Sequence, residues 1–101
     1  MIRIKRQYTR PSTDVKWQRD VIEVAEFKIK LQTYIDSKKL ISHHTNYSED
    51  GLQMFYSGVW ASRADFDEYD VDPDLTLYWD LRNTYYESVG ITVGAKVFET
   101  V

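Results

Sequence analysis

The chain has 101 residues, 43% apolar, 29% charged and 15% aromatic, the balance of one globular domain spanning residues 1–101. A net charge of −3 supplies no basic field for a phosphate backbone, which excludes general nucleic-acid binding; no apolar run approaches the ~18 residues of a membrane span. Cysteine is absent, which excludes disulfides, thiolate catalysis and cysteine-ligated metals and suits a reducing, cytoplasmic compartment.

The elements follow in order. Ile2 to Tyr8 alternates Ile2, Ile4, Arg6 and Tyr8 against Arg3, Lys5 and Gln7, the period of a strand, with Arg6 the exception on the apolar side. The basic cluster Arg3, Lys5, Arg6 and Arg10 otherwise reads as the exposed side of that strand. Arg10 to Asp14 breaks it with Pro11 and turn-forming residues. A helix is expected from about Arg19 to Ser37, with Asp20 and Glu23 as an acidic capping box and Thr13 or Asp14 as alternative caps. Val21, Ile22, Ala25, Ile29 and Tyr34 fall near one face, widened by Phe27, Leu31 and Ile35.

Leu40 to Ser48 reads as the second strand and Leu52 to Ala61 as the third, joined at Asp50-Gly51, a strong hairpin signal. Ser62 caps a short helix with an acidic first turn. Asp72-Pro73 restarts the helix after a break, proline standing where its missing N–H costs nothing. Leu75, Tyr78, Trp79, Tyr85, Tyr86 and Val89 then repeat at helical spacing up to Gly90, a good stop residue. Ile91 to Val101 is the fourth strand, loosened at Gly94-Ala95. The order βαββαβ with right-handed crossovers gives a ferredoxin-like α+β fold: an antiparallel sheet of order 4-1-3-2, with helices on one face.

The third strand does not alternate as a half-exposed strand should. Leu52, Met54, Tyr56 and Trp60 lie on one face, Phe55 and Val59 on the other. Two helices cover one face of such a sheet. A second copy packed sheet to sheet would cover the other, so a homodimer is expected.

The segment Val59-Trp60-Ala61-Ser62-Arg63-Ala64-Asp65-Phe66-Asp67-Glu68-Tyr69 resembles the W-x-S strand-to-helix segment of antibiotic-biosynthesis-monooxygenase-like proteins, members of the dimeric α+β barrel superfamily. The resemblance implies a dimeric barrel and a site between sheet and helices. It covers cofactor-free oxygenases of aromatic polyketides, haem-degrading enzymes, isomerases and members without an assigned activity. The haem-degrading members pair the strand tryptophan, matched by Trp60, with a first-strand asparagine and a histidine on the second long helix. The first strand here has no asparagine, and Asp72 to Gly90 has no histidine. Haem degradation is thereby disfavoured, and an oxygenase also lacks the asparagine.

A two-residue turn at Asp50-Gly51 pairs His43 with Gly58 and sorts the hairpin by parity. Ile41, His43, Thr45, Tyr47, Met54, Tyr56, Gly58 and Trp60 share the face that the resemblance puts under the helices. Ser42, His44, Asn46, Gln53, Phe55, Ser57 and Val59 share the other. Tyr47, Met54, Tyr56 and Trp60, with Tyr8 from the first strand and Arg82 from the last helix, are the expected ligand-binding residues. His43, beside the space left by Gly58, is the weak candidate for a general base. His44, Asn46, Gln53, Phe55, Ser57 and Val59 are the expected dimer interface.

Adjacent histidines on a strand point to opposite faces and cannot share a metal. Asp70, Asp72 and Asp74 copy the first ligand positions of an EF-hand loop, but Leu75 and Leu81 stand where its glycine and closing glutamate belong. Asp65, Asp67 and Glu68 complete an acidic run best read as helix capping and a solvated loop. No metal and no cofactor is therefore expected. The function expected is binding of a small apolar or aromatic molecule, as a cofactor-free enzyme or as a binding protein. The alternative is a non-catalytic homodimeric interaction module.

Overall fold

The computed structural model describes all 101 residues. Strand β1 (Ile2–Thr9) lies antiparallel to β3 (Gln53–Trp60), from Ile2 opposite Trp60 to Thr9 opposite Gln53. Strand β2 (Leu40–Tyr47) flanks β3. The other edge is made by β4 (Thr92–Val93) and β5 (Val97–Thr100), both paired with β1. The sheet order β2-β3-β1-β4 is the expected 4-1-3-2 order read from the opposite edge. Helices α1 (Ala25–Asp36), α2 (Arg63–Asp70) and α3 (Thr76–Val89) complete the α+β architecture. None is long and apolar enough to cross a membrane.

The expected register holds from Ser42 opposite Val59 to Tyr47 opposite Met54. The loop that sets it is longer than the expected two residues. Gly51 N–H donates to the Ser48 carbonyl, and Ser48 N–H to that of Gln53. The Asp50 carboxylate accepts from the Ser48 hydroxyl at 2.6 Å and from Leu52 N–H at 3.0 Å. Gly51 at φ +73° takes the left-handed conformation that this closure needs. The longer loop is still centred on Asp50-Gly51, so the pairing is unchanged.

Ile41 departs from its expected place. The register slips between Leu40 and Ser42, and Leu40, not Ile41, stands opposite Trp60. Leu40 is buried, and Ile41 is 48% exposed. The extra residue is a β-bulge. The looseness expected at Gly94-Ala95 is a second one: Val93 to Val97 takes four steps against three from Tyr8 to Lys5.

The first helix is shorter than the expected Arg19–Ser37. Gln18–Asp20 forms one 3-10 turn, and α1 begins only at Ala25. Val21, Ile22 and Val24 are β-branched and poor at opening a helix; Val24 is extended at φ −125°, ψ 107°. Its inward face is also rotated. Phe27, Leu31, Tyr34 and Ile35 turn inward, whereas Ala25 is exposed and Ile29 is 67% exposed. The Phe27 ring stacks on Tyr78 at 3.9 Å, which anchors that rotation.

The expected Asp20–Glu23 box does not cap the first helix, since α1 starts after both residues, with Val24 at its N-cap position and no side-chain cap; the later caps fall where the sequence puts them. The Ser62 hydroxyl accepts from Asp65 N–H at 3.1 Å. Asp72 accepts from Asp74 N–H at 2.9 Å and opens a 3-10 turn, Pro73–Leu75, that leads into α3. Gly90 ends α3 at φ +79°.

Beneath the helices lie two buried clusters. One joins Ile4, Tyr34, Leu40, Trp60 and Phe66; the other joins Tyr8, Trp17, Met54, Tyr86 and Ile91. Arg10 does not lie on the exposed side of β1 with Arg3 and Lys5, and the half-buried Arg6 borders both the groove on that side and the space under the helices. Arg10 donates to the carbonyls of Gly51 and Val15 at 2.7 and 2.8 Å, with its guanidinium 4.9 Å from the Trp17 ring. It pins the β2–β3 loop to the segment after β1.

Candidate ligand cavity

A cavity of about 690 Å³ opens between sheet and helices, bordered by members of both buried clusters. That is within the usual range for a small-molecule site. Its floor is Ile4, Arg6 and Tyr8 of β1, Tyr56 of β3 and His43 of β2. Phe27 and Leu31 of α1 form one wall. Phe66, Tyr69 and Asp70 of α2 and Tyr78, Trp79, Arg82 and Asn83 of α3 form the rest. Gln18 and Arg19 reach in from the 3-10 turn, Val93 from β4 and Lys96 from the segment joining β4 to β5.

The walls are aromatic and mutually braced. Tyr69 meets Trp60 at 4.9 Å and Trp79 edge-on at 5.5 Å, and Tyr78 meets Trp79 at 5.1 Å. Burial pushes the Tyr56 hydroxyl up to about 12, with Tyr8 adding to the shift. Burial likewise raises Tyr69 well above its ordinary value. Tyr78 and Tyr86 also rise through burial, against the opposing pull of the Arg82 guanidinium. At neutral pH these are protonated hydroxyls, able to donate.

Three buried polar atoms have no partner: Gln18 Oε1, Trp79 Nε1 and the Tyr86 hydroxyl. Gln18 and Trp79 line the cavity. Tyr86 packs on Tyr8 at 5.8 Å. Buried polar groups are normally satisfied, so these atoms are unused hydrogen-bonding capacity at or beside the cavity.

Of the expected ligand-binding residues, Tyr8, His43, Tyr56 and Arg82 line this cavity. Tyr47, Met54 and Trp60 lie elsewhere. Trp60 is 1% exposed within the first cluster; Met54 belongs to the second. Tyr47 packs against Trp17 at 6.4 Å, under the Arg19 guanidinium at 5.1 Å. His43 does face Gly58, but the space beside it is not free. A Cβ on Gly58 would stand 2.9 Å from the Tyr56 hydroxyl. His43 is itself exposed, its ring 6.5 Å from that of Tyr56, so it stands at the cavity's edge.

Arg6, Arg19, Phe27, Leu31, Tyr69, Tyr78 and Trp79 were not assigned to a site from sequence. Arg6 carried a signal as the one charge in the apolar phase of β1. The others were hidden by the ambiguous start of the first helix or by looking like ordinary core.

The acidic run is dispersed among partners. Asp70 pairs with Lys96 at 2.8 Å, Arg63 with Asp67 at 3.0 Å and Lys39 with Glu68 at 2.9 Å. Lys30 approaches both Asp72 and Asp74, at 3.4 and 3.1 Å. The buried Asp72 also accepts from the Tyr34 hydroxyl at 2.6 Å.

The opposite face of the sheet is concave, with a groove of about 790 Å³. His44, Asn46, Phe55 and Ser57 line it beside Arg3, Lys5 and Val97, and the register puts Gln53 and Val59 on the same face. Glu99 ties Lys5 at 2.9 Å and Arg3 at 3.7 Å.

No sequence-family model and no curated protein matches the chain. Solved structures do. A variant of SnoaB, a cofactor-independent oxygenase from Streptomyces nogalater, aligns over 99% of this chain and 91% of its own at TM-score 0.67 and 10% identity. The monooxygenase ActVA-Orf6 of Streptomyces coelicolor, in complex with Nanaomycin D, aligns over 99% and 86% at TM-score 0.60 and 18% identity. A dimeric ferredoxin-like protein from an uncultured marine organism aligns over 99% and 95% at TM-score 0.58 and 7% identity. The chain therefore has the ferredoxin-like α+β fold of the antibiotic-biosynthesis-monooxygenase-like structures.

Proposed function

We propose that this protein binds a small aromatic molecule between its sheet and its helices, without a cofactor, as a homodimer. The observation that carries the reading is the 690 Å³ cavity walled by Phe27, Tyr56, Tyr69, Tyr78 and Trp79. A flat ligand would gain apolar burial and ring-on-ring contact there. The protonated tyrosines and the unused Trp79 N–H supply donors for its polar atoms. ActVA-Orf6, whose fold this chain shares, is in complex with Nanaomycin D, a precedent that supports the same use of the fold. For any proton transfer we propose His43, since an imidazole is the side chain best suited to exchange a proton near neutrality. A second copy on the grooved face would cover Phe55 and Val97, which are 38% and 51% exposed.

The rival reading, a non-catalytic homodimeric module, draws on the burial of Trp60 as pure core. The dye N-phenyl-1-naphthylamine, neutral and aromatic, separates the two. Saturable fluorescence enhancement is expected, weakened strongly in Trp79→Ala while the fold persists by circular dichroism. No saturable binding would favour the module.

A further inference from the structure

The chemical class of that ligand follows from the charges around the cavity, and the inference rests on the cavity being a ligand site. We propose that the cavity takes an aromatic anion, its negative group held between Arg6 and Arg82 with Arg19 at the mouth.

Acids outnumber cations in the chain, 16 to 13. The cavity reverses that balance: Arg6, Arg19, Arg82 and Lys96 line it against a single acid, Asp70. Lys96 grips both oxygens of Asp70, at 2.8 and 2.9 Å. Three guanidiniums remain, and none of them forms an ion pair. The other arginines are accounted for: Arg3 pairs with Glu99, Arg63 pairs with Asp67, and Arg10 donates to backbone carbonyls.

Arg6 and Arg82 are half-buried. A cation withdrawn from water without a counter-charge is costly, and a ligand anion removes that cost. Both retain free donors. Arg6 uses only its Nε, on the Gly94 carbonyl at 3.0 Å, which leaves the outer nitrogens of its fork open. Arg82 makes two long contacts to Asn83 Oδ1, at 3.4 and 3.3 Å, and lies 4.8 Å over the Trp79 ring. Trp79 adds its own unpartnered N–H. A guanidinium fork matches a carboxylate or sulfonate with two parallel hydrogen bonds. The aromatic walls beside it call for a ring rather than a bare inorganic anion.

The test uses two dyes that differ by one sulfonate: 8-anilino-1-naphthalenesulfonate and neutral N-phenyl-1-naphthylamine. Fluorescence titration of the intact chain is expected to give the sulfonate about tenfold tighter binding or better, weakening with salt. Arg82→Gln and Arg6→Gln should each remove most of that advantage, lowering the sulfonate's affinity several-fold more than the neutral dye's, while circular dichroism and retained saturable binding of the neutral dye report that the cavity is intact. Lys5→Gln, on the opposite face, should change neither. Equal affinity for both dyes, insensitive to either arginine, would overturn the anion assignment and leave the cavity as a ligand site. Loss of the sulfonate advantage in Lys5→Gln instead would also overturn it. Failure of both dyes to bind would remove the underlying cavity reading, and this inference with it.

Discussion

The Tyr56 hydroxyl lies 2.9 Å from the point where a Cβ on Gly58 would stand. The two residues are neighbours along one face of β3, and Tyr56 leans over the glycine rather than standing straight out from the sheet. Gly58→Ala should therefore displace the Tyr56 ring and lower stability by about 1–3 kcal/mol, the usual cost of overpacking. Tyr56→Ala in the same chain should relieve the clash, so the two changes should be non-additive in urea unfolding. Additive losses would show that the ring does not depend on the glycine.

Trp60→Ala should cost about 3–5 kcal/mol, the range for truncating a buried aromatic. The indole packs among Ile4, Tyr34, Leu40 and Phe66, outside the cavity lining. Urea midpoints should fall while aromatic-dye affinity, measured under conditions where the variant remains folded, stays close to that of the parent. A selective loss of dye binding would return Trp60 to the site.

Asp72 should make the fold sensitive to acid. Burial pushes its carboxyl up, but hydrogen bonds from Tyr34, the Asp74 N–H and Lys30 outweigh that and hold it below the ordinary value. A depressed carboxylate contributes stability that is present above its unfolded pKa, about 3.9, and is lost as pH falls through the folded value. Stability should thus drop below about pH 4. Asp72→Asn, which keeps an acceptor for Tyr34, should flatten that drop. Asp50 and Glu99, also held low by their hydrogen-bond partners Ser48 and Lys5, would account for the slope that remains. Urea unfolding across that range measures it; an unchanged slope in the variant would acquit Asp72.

Phe55 should decide the oligomeric state. A dimer joined through the grooved face buries it against the partner sheet, and Phe55→Glu puts a charge into that contact. The parent should sediment at twice 12.0 kDa and the variant at the single-chain mass, with its circular dichroism unchanged. A monomeric parent would refute the proposed dimer.

Strand parity was legible because it depends on the hairpin centre, and Asp50-Gly51 marked it: a turn one residue longer would have exchanged the two faces, but the loop lengthens by one residue on each side and keeps its centre. Sheet order followed from the βαββαβ order, and the caps at Ser62 and Asp72 from local chemistry. What stayed hidden were effects of packing at a distance. A bulge at Ile41 carries no local signature, yet it decides which aliphatic side chain fills the core beside Trp60. The inward face of α1 is fixed by Phe27 stacking on Tyr78, a residue some fifty positions away in the chain. The cavity residues suffered most, because an aromatic that lines a space and one that fills it look the same in a sequence. Arg6 was the exception, visible as a charge in an apolar phase, and it proves to stand on the cavity floor.

Both edges of the sheet carry an extra residue, Ile41 on β2 and one within the segment joining β4 to β5. A strand from another molecule needs an unbroken row of backbone donors and acceptors to extend a sheet, and a bulge interrupts that row and twists it away. Edge-to-edge addition is interrupted between β4 and β5 and at the start of β2, while Ser42 to Tyr47 keeps a regular edge. The proposed self-association is left to the broad grooved face, where a second copy packed sheet to sheet would close the contact after one partner.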